Sequence, residues 1–408
     1  MSFPPALLLA AAGPEATRLP LEMFLVFGCA KLAGELFERM RQPGIAGEIL
    51  AGILIGPAVF GWVAPGQFLD ALAQLGVMFL LFRVGLEVKA SELMEVGGTA
   101  LIVAVLGVIL PFGLGWGILR WWGEPHIEAI FVGAAMVATS VGITAQVLAS
   151  KGLMQSRAAK IILGAAVIDD ILGLLVLALV SSMAAGAVKW LDLGTTAVLA
   201  VGFTVLVATV GTRAASRVVP KMRKRLRTGE GEFALSMILL FGLSLLAVYA
   251  GVAAIIGAFL AGMALSESVG ERVHDLAHGV TELLVPFFLA GIGLHMDLGT
   301  IGTASTLILA IVIFVAAVIS KFVGCGLGAL KLGRTDAARI GVGMVPRGEV
   351  GLVVAQVGLS LGVIAHHIYG VVVFMAVATT LIAPPLLALA FRGAETPAPE
   401  EEQPFKIG

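Results

Sequence analysis

Charge is scarce in this chain of 408 residues: Asp, Glu, Lys and Arg together make up only 13% of it. A soluble protein of that length keeps about a quarter of its residues charged to cover its surface. With 59% hydrophobic residues and a mean hydropathy of +1.04, most of the surface has to face lipid. Cysteine is also scarce. Cys29 and Cys325 each lie in an apolar run, which excludes a disulfide framework or a thiolate metal cluster. A formal net charge of -1 leaves no bulk field to attract nucleic acid, so what matters is where the charges lie. The N-terminal "MSFPPALLLAAAGPEA" lacks a basic n-region and has a short apolar core, which argues against a cleaved signal peptide.

What the chain has instead is long apolar runs. Runs able to cross about 30 Å of hydrocarbon give thirteen expected spans: 21–40, 44–62, 70–88, 97–121, 127–149, 158–184, 192–214, 232–249, 251–268, 279–296, 303–330, 337–361 and 366–391. The least distinct division is at "VYAGVAAIIG", between the eighth and ninth spans. Basic residues test the count, because Lys and Arg gather in cytoplasmic loops. Alternating sides from an outside start places "ERMRQP", "EVKASEL", "SKGLMQSR", "RAASRVVPKMRKRLRTGEGE", "SESVGERVHDLAH", "KLGRTDAAR" and the tail from Arg392 inside. The outside segments hold only Arg18, Arg120 and Lys189. The N-terminus is therefore expected outside and the C-terminus inside.

A shift of 210 positions exposes a repeat. "AQVLASKG" (145–152) falls on "AQVGLSLG" (355–362), "VIDDILGLLVLAL" (167–179) on "VATTLIAPPLLAL" (377–389), and "VILPF" (108–112) on "VISKF" (318–322). Three successive spans over 97–184 align without a gap to three over 303–391. The first set begins inside and the second outside, so the units are inverted, an architecture that places a binding site at the midplane of a transporter. "LLFRVGLEVKASEL" against "FFLAGIGLHMDLGT", and "GILIGP" against "GAFLAG", are weaker echoes of a second repeated domain.

An ionisable group near the centre of a span costs about 2.5–3.5 kcal/mol on insertion scales, so a functional role is the default expectation. Asp169 and Asp170 lie in the middle of 158–184. Neighbours on a helix point about 100° apart, so one carboxylate can meet a fixed partner while the other faces a cavity. Lys321, mid-span in "VAAVISKFVGCGLG", is the expected partner and occupies the repeat position of Pro111. A cation reaching the acids would weaken that pairing and help release a proton. Two further spans are interrupted at matched positions: "VATSVGITAQ" by Thr139, Ser140, Gly142 and Thr144, and "MVPRGEVGLV" by Pro346, Arg347, Gly348 and Glu349. Unwound backbone at membrane depth is tolerated where it lines a cavity or is buried in protein. Its carbonyls, with Thr and Ser hydroxyls, are hard oxygen ligands for a small cation. The plainer alternative at the second site is a proline kink with a local Arg347–Glu349 pair.

Other charges carry less. Glu48, Arg83 and Glu87 lie near expected cytoplasmic ends, and Arg83 and Glu87 have the spacing of a local helical pair. His274 and His278 have ligand spacing without companion ligands, so they read as part of an amphipathic cytoplasmic turn. The basic run 213–227 suits lipid headgroups.

"GAAVIDDILGL", "ATSVGITA", "GMVPRGEVGLV" and Lys321 together resemble the bacterial sodium/proton antiporters of the cation:proton antiporter-2 family, of the NapA type. The resemblance covers nearly the whole chain. It implies an all-α polytopic membrane protein of about thirteen transmembrane helices, with inverted repeats and two crossed, broken helices. It implies a homodimer in the bacterial inner membrane, with no enzyme activity and no cofactor. The expected division is a dimerisation domain from 1–96 and 232–302 and a transport core from 97–184 and 303–391. A linker and basic loop would fill 185–231, and a short tail 392–408. By the same resemblance Asp170 is the principal cation and proton carrier, and Asp169 pairs with Lys321 in the ion-free state. Thr139 lies by the crossing, and Glu349 compensates charge there. Ser140 stands where some sodium antiporters of related fold carry an acid, so their ligand details do not transfer. The implied activity is electrogenic exchange of Na+ (or Li+) for protons.

Rival readings are K+/proton exchange and sodium-coupled uptake of an organic anion on a similar scaffold. An intramembrane aspartyl protease needs two carboxylates converging from separate helices on one water. Here the two acids are adjacent, diverge, and have no second intramembrane Asp to meet. A channel is disfavoured because no repeated pore-lining ring of carbonyls or charges is present.

Overall fold

The computed structural model describes residues 14–40, 42–184, 190–214, 217, 231–296 and 302–392, with the side chains at 14–17, 92, 94, 192, 193 and 349 outside that set. Among the described residues every regular element is helical. In chain order the α-helices are α1 (Pro14–Arg39), α2 (Gly44–Ile55), α3 (Gln67–Leu86), α4 (Ala90–Trp122), α5 (His126–Ala135), α6 (Val141–Ser150), α7 (Arg157–Ala184) and α8 (Trp190–Leu206). They continue with α9 (Gly231–Tyr249), α10 (Ala254–Leu265), α11 (Glu271–Leu294), α12 (Ala304–Gly328), α13 (Arg334–Gly343), α14 (Glu349–Ser360) and α15 (His366–Ala390). Helices prevail because lipid offers no hydrogen bonds to backbone groups, so each span has to satisfy its own.

Eight helical spans are long and apolar enough to cross a membrane: α3, α4, α7, the continuation of α8 through a π-helical turn (Gly194–Ala214), α9, α11, α12 and α15; α2, α5, α6, α10 and α14 are shorter apolar helices. α1 is in neither group. Glu22, Lys31 and Glu35 interrupt its apolar run, and each is paired: Glu22 with Arg18 at 2.7 Å, Glu35 with Arg39 at 2.8 Å, and Lys31 with Glu48 at 3.5 Å. The indistinct division at "VYAGVAAIIG" is a real turn, with Gly251 at φ +77° between α9 and α10. α2 ends at Ile55, seven residues before the expected limit of that span.

The expected spans 127–149 and 337–361 are each interrupted. α5 ends at Ala135 and α6 begins at Val141; α13 ends at Gly343 and α14 begins at Glu349. Helix boundaries in the two halves correspond at the 210-residue offset to within a few residues, as in α6 and α14, which end at Ser150 and Ser360. α4 packs on α12, α7 and α5, and α12 on α15 and α13, while α3 packs on α11 and α10, and α1 on α2. The two groups meet where α6 crosses α3 and where α15 crosses α2.

The basic run expected to meet headgroups lies mostly outside the described residues, as does the tail beyond Arg392. Cys29 and Cys325 are both free thiols.

Candidate functional site at the helix crossing

The two interruptions lie against each other. The Ser140 amide donates to the Pro346 carbonyl at 2.8 Å, and the Thr144 hydroxyl to the Gly343 carbonyl at 2.7 Å. Thr139 Oγ1 makes a longer contact, 3.5 Å, to the carbonyl of Met344. A helix that stops leaves its last carbonyls without intrahelical donors. Here the side chains of one broken helix supply donors to the end of the other.

Two cations occupy the centre, both fully buried. Lys321 Nζ, from α12, donates to Asp169 Oδ1 at 2.9 Å, to the Val137 carbonyl at 2.6 Å and to the Gly107 carbonyl at 2.8 Å. Arg347 Nη1 donates to the carbonyls of Ala138 and Met344, each at 3.4 Å, and Nη2 to Ala317 at 3.1 Å. Val137 and Ala138 follow the end of α5, and Met344 follows the end of α13. Both cations therefore sit at the negative ends of the half-helix dipoles, where positive charge is favoured. The Arg347 backbone is clamped as well: its amide donates to Thr379 Oγ1 at 3.2 Å, and its carbonyl accepts from Thr380 Oγ1 at 2.6 Å.

Asp169 and Asp170 sit side by side on α7, 0% and 2% exposed. Asp169 faces Lys321, and helical geometry turns Asp170 about 100° away from it. With Lys321 and Arg347, two acids and two bases share one buried centre. Ser140 Oγ is buried and has no hydrogen-bond partner among the described residues. An orphaned hydroxyl oxygen of this kind is a hard ligand that a cation can satisfy.

The structure thus brings together Asp169, Lys321, Thr139, Ser140, Thr144 and Arg347. Glu349 starts α14 at the crossing, but its side chain lies outside the described residues. Thr379, Thr380 and Gly107 are partners that the sequence reading did not select. Thr379 and Thr380 had a signal, since they are the repeat counterparts of Asp169 and Asp170.

The local pair expected of Arg83 and Glu87 does not form. Arg83 Nη1 donates instead to His278 Nδ1, 2.7 Å away on α11, and an arginine has no acceptor to offer in return. Glu87 lies just past the end of α3, where burial raises its carboxyl pKa and the nearby Arg83 partly offsets the rise. His274 and His278 join no metal-ligand cluster among the described residues.

Two cavities flank the crossing at opposite ends of the helices. One, of about 500 Å³, runs from Asp70 and His295 down to Arg347 and Gly348. The other, of about 570 Å³, is rimmed by Lys31, Glu35, Glu38, Glu48 and Glu282 and reaches Gln146. A buried charge centre at crossed, interrupted helices, with a cavity toward each end, is the layout of an ion-coupled secondary transporter.

Comparison with known proteins names the family. The family described as "Sodium/hydrogen exchanger, transmembrane" matches residues 24–393, and the chain belongs to it. It is a family of transporters and not of enzymes, and the chain is a multi-pass membrane protein. The chain is 36% identical to the Na(+)/H(+)-K(+) antiporter GerN of Bacillus cereus over 91% of its own length and 95% of that protein. It is 34% identical to the high-affinity Na(+)/H(+) antiporter NhaS3 of Synechocystis sp. over 95% and 92%. A solved structure of the sodium proton antiporter MjNhaP1 from Methanocaldococcus jannaschii shares the fold, with a TM-score of 0.70 and 18% identity over 91% and 95% of the two chains.

Proposed function

We propose that the chain exchanges Na+ (or Li+) for protons across the bacterial inner membrane by alternating access, and that the exchange moves net charge. The observation that carries this reading is the Asp169–Lys321 ion pair at 2.9 Å, buried at the crossing with Asp170 beside it. In the ion-free state Asp170 carries a proton and Asp169 is held by the lysine. A dehydrated cation entering from one cavity displaces the Asp170 proton and takes oxygens from Asp170 and Ser140. Asp169 then turns toward the cation, and Lys321 loses the anion that favoured its charge. Two protons leave for one Na+, which moves one net charge per cycle.

The same reading arranges the helices as thirteen crossings. Eight are the long apolar helices, three are α1, α2 and α10, and two are the interrupted pairs α5 with α6 and α13 with α14. The transport core is 97–184 with 303–391, and it moves against the rest of the chain, which forms the dimer interface. The apolar face of α1 carries Phe24 and Leu32, both more than 70% exposed, and suits a second copy of the chain or lipid. The N-terminus lies in the periplasm and the C-terminus in the cytoplasm. Na+ and protons are substrates here, and no resident cofactor enters the cycle.

K+ exchange is the second reading, favoured by the name of the relative GerN, a Na(+)/H(+)-K(+) antiporter. Reconstituted wild-type protein should collapse an imposed pH gradient with Na+ or Li+, and Asp170→Asn should abolish that response. Normal activity in the variant overturns the site assignment, and a response to K+ equal to that to Na+ favours the second reading.

A further inference from the structure

Pro111 lies inside α4, four residues after Gly107. Proline has no amide hydrogen, so the Gly107 carbonyl lacks the donor that an uninterrupted helix would give it. Lys321 Nζ takes that place from the facing helix α12, at 2.8 Å. Glycine leaves room for it: a Cβ at Gly107 would lie 3.4 Å from Lys321 Nζ and 2.7 Å from Cys325 Sγ. In the other repeat the counterpart of Gly107 is Ala317, and four residues on stands Lys321, which has an amide. The proline therefore frees a carbonyl on the repeat helix that faces the ammonium, and not on the one that carries it.

The remaining donors of Lys321 go to the Val137 carbonyl and Asp169, at 2.6 and 2.9 Å. An ammonium has three N–H donors, matched here by two carbonyls and one carboxylate. A neutral amine has two N–H groups and a lone pair, and the two carbonyls match what remains.

We propose that Gly107 and Pro111 are positioning residues that build, with Val137, a two-carbonyl cradle for the Lys321 nitrogen in both protonation states. The proton exchanged is then always the one facing Asp169. Its N–H bond breaks, the electron pair stays on nitrogen, and the proton passes to water in the open cavity. This rests on the reading of Lys321 as a group that releases a proton when the cation binds.

The test uses full-length protein in liposomes, measuring Na+-driven proton flux against pH together with apparent KM and maximal rate. Pro111→Ala returns an amide to the Gly107 carbonyl. The midpoint of its pH profile should move toward acid by about one unit, the scale of one hydrogen bond to a charged group. The α-hydroxy analogue of alanine at position 111 makes an ester, which lacks both the amide hydrogen and the proline ring. It should restore the wild-type profile, and it decides alone if Pro111→Ala is not recovered folded. An unmoved profile in folded Pro111→Ala overturns the cradle. So does a shift that the ester also shows, which would assign the effect to the proline bend. Lys321→Gln in the same assay separates the two levels. If its profile moves and that of Pro111→Ala does not, the cradle fails and the reading of Lys321 stands; if neither moves, both fail.

Discussion

Gly348 and Ser140 touch across the crossing so closely that a Cβ on Gly348 would lie 2.6 Å from both Cβ and Oγ of Ser140. The contact brings the second interruption against the first, so that Arg347 on one reaches the Ala138 carbonyl on the other. Gly348→Ala should force the two interrupted segments apart, at about 1–3 kcal/mol for overpacking of this kind. A lower melting temperature of the detergent-purified protein, with reduced exchange, is the expected result. A variant as stable and as active as wild type would show that the approach is dispensable.

Ser140→Ala should behave differently. Among the described residues Ser140 Oγ has no hydrogen-bond partner, so its removal strands none of them. Stability should be unchanged, while apparent KM for Na+ rises about fivefold, the scale of one lost oxygen contact. An unchanged KM, measured as Na+-induced dequenching of a pH dye in proteoliposomes, removes Ser140 from the ligand set.

Arg347→Met deletes a fully buried guanidinium and leaves the carbonyls of Ala138, Met344 and Ala317 without that donor. Breaking a buried charge centre from one side costs about 3–5 kcal/mol. The variant should be recovered in low yield, with an early melt by size-exclusion profile. Thr379→Val removes the acceptor for the Arg347 amide together with the hydroxyl's own bond to the Ala376 carbonyl, and about 1–3 kcal/mol is expected. Equal losses in the two variants would argue against a structural role for the guanidinium itself.

Lys321→Gln should retain a neutral donor to the Gly107 and Val137 carbonyls and lose the charge opposite Asp169. Exchange that survives should no longer respond to membrane potential, measured with the potential clamped by a K+ gradient and ionophore. Retained voltage dependence would exclude the lysine as the carrier of the second proton.

The all-helical, membrane-spanning class was legible from composition, because apolar runs of this length leave the backbone no solvent but itself. The two interruptions were legible for a related reason. Pro346 and Gly348 in one run, and Thr139, Ser140 and Gly142 in the other, are residue types that break or relax a helix. α1 was harder to read, since its charges are tolerated only through pairs such as Lys31 with Glu48, which lies on another helix. The surroundings of Arg347 were not legible either. Its guanidinium reaches three carbonyls, two of them on segments far away in the chain, and no side chain there announces them.

By itself the sequence determined the helical spans, their breaks, the repeat and the identity of the buried acids and bases. Tertiary structure alone decided which backbone oxygens receive the cations. Every residue carries a carbonyl, so the acceptors at Gly107, Val137 and Ala138 have no signature in their side chains. A helix that stops or meets a proline leaves such oxygens without a donor, and only the crossing of four separate segments brings Lys321 and Arg347 to them.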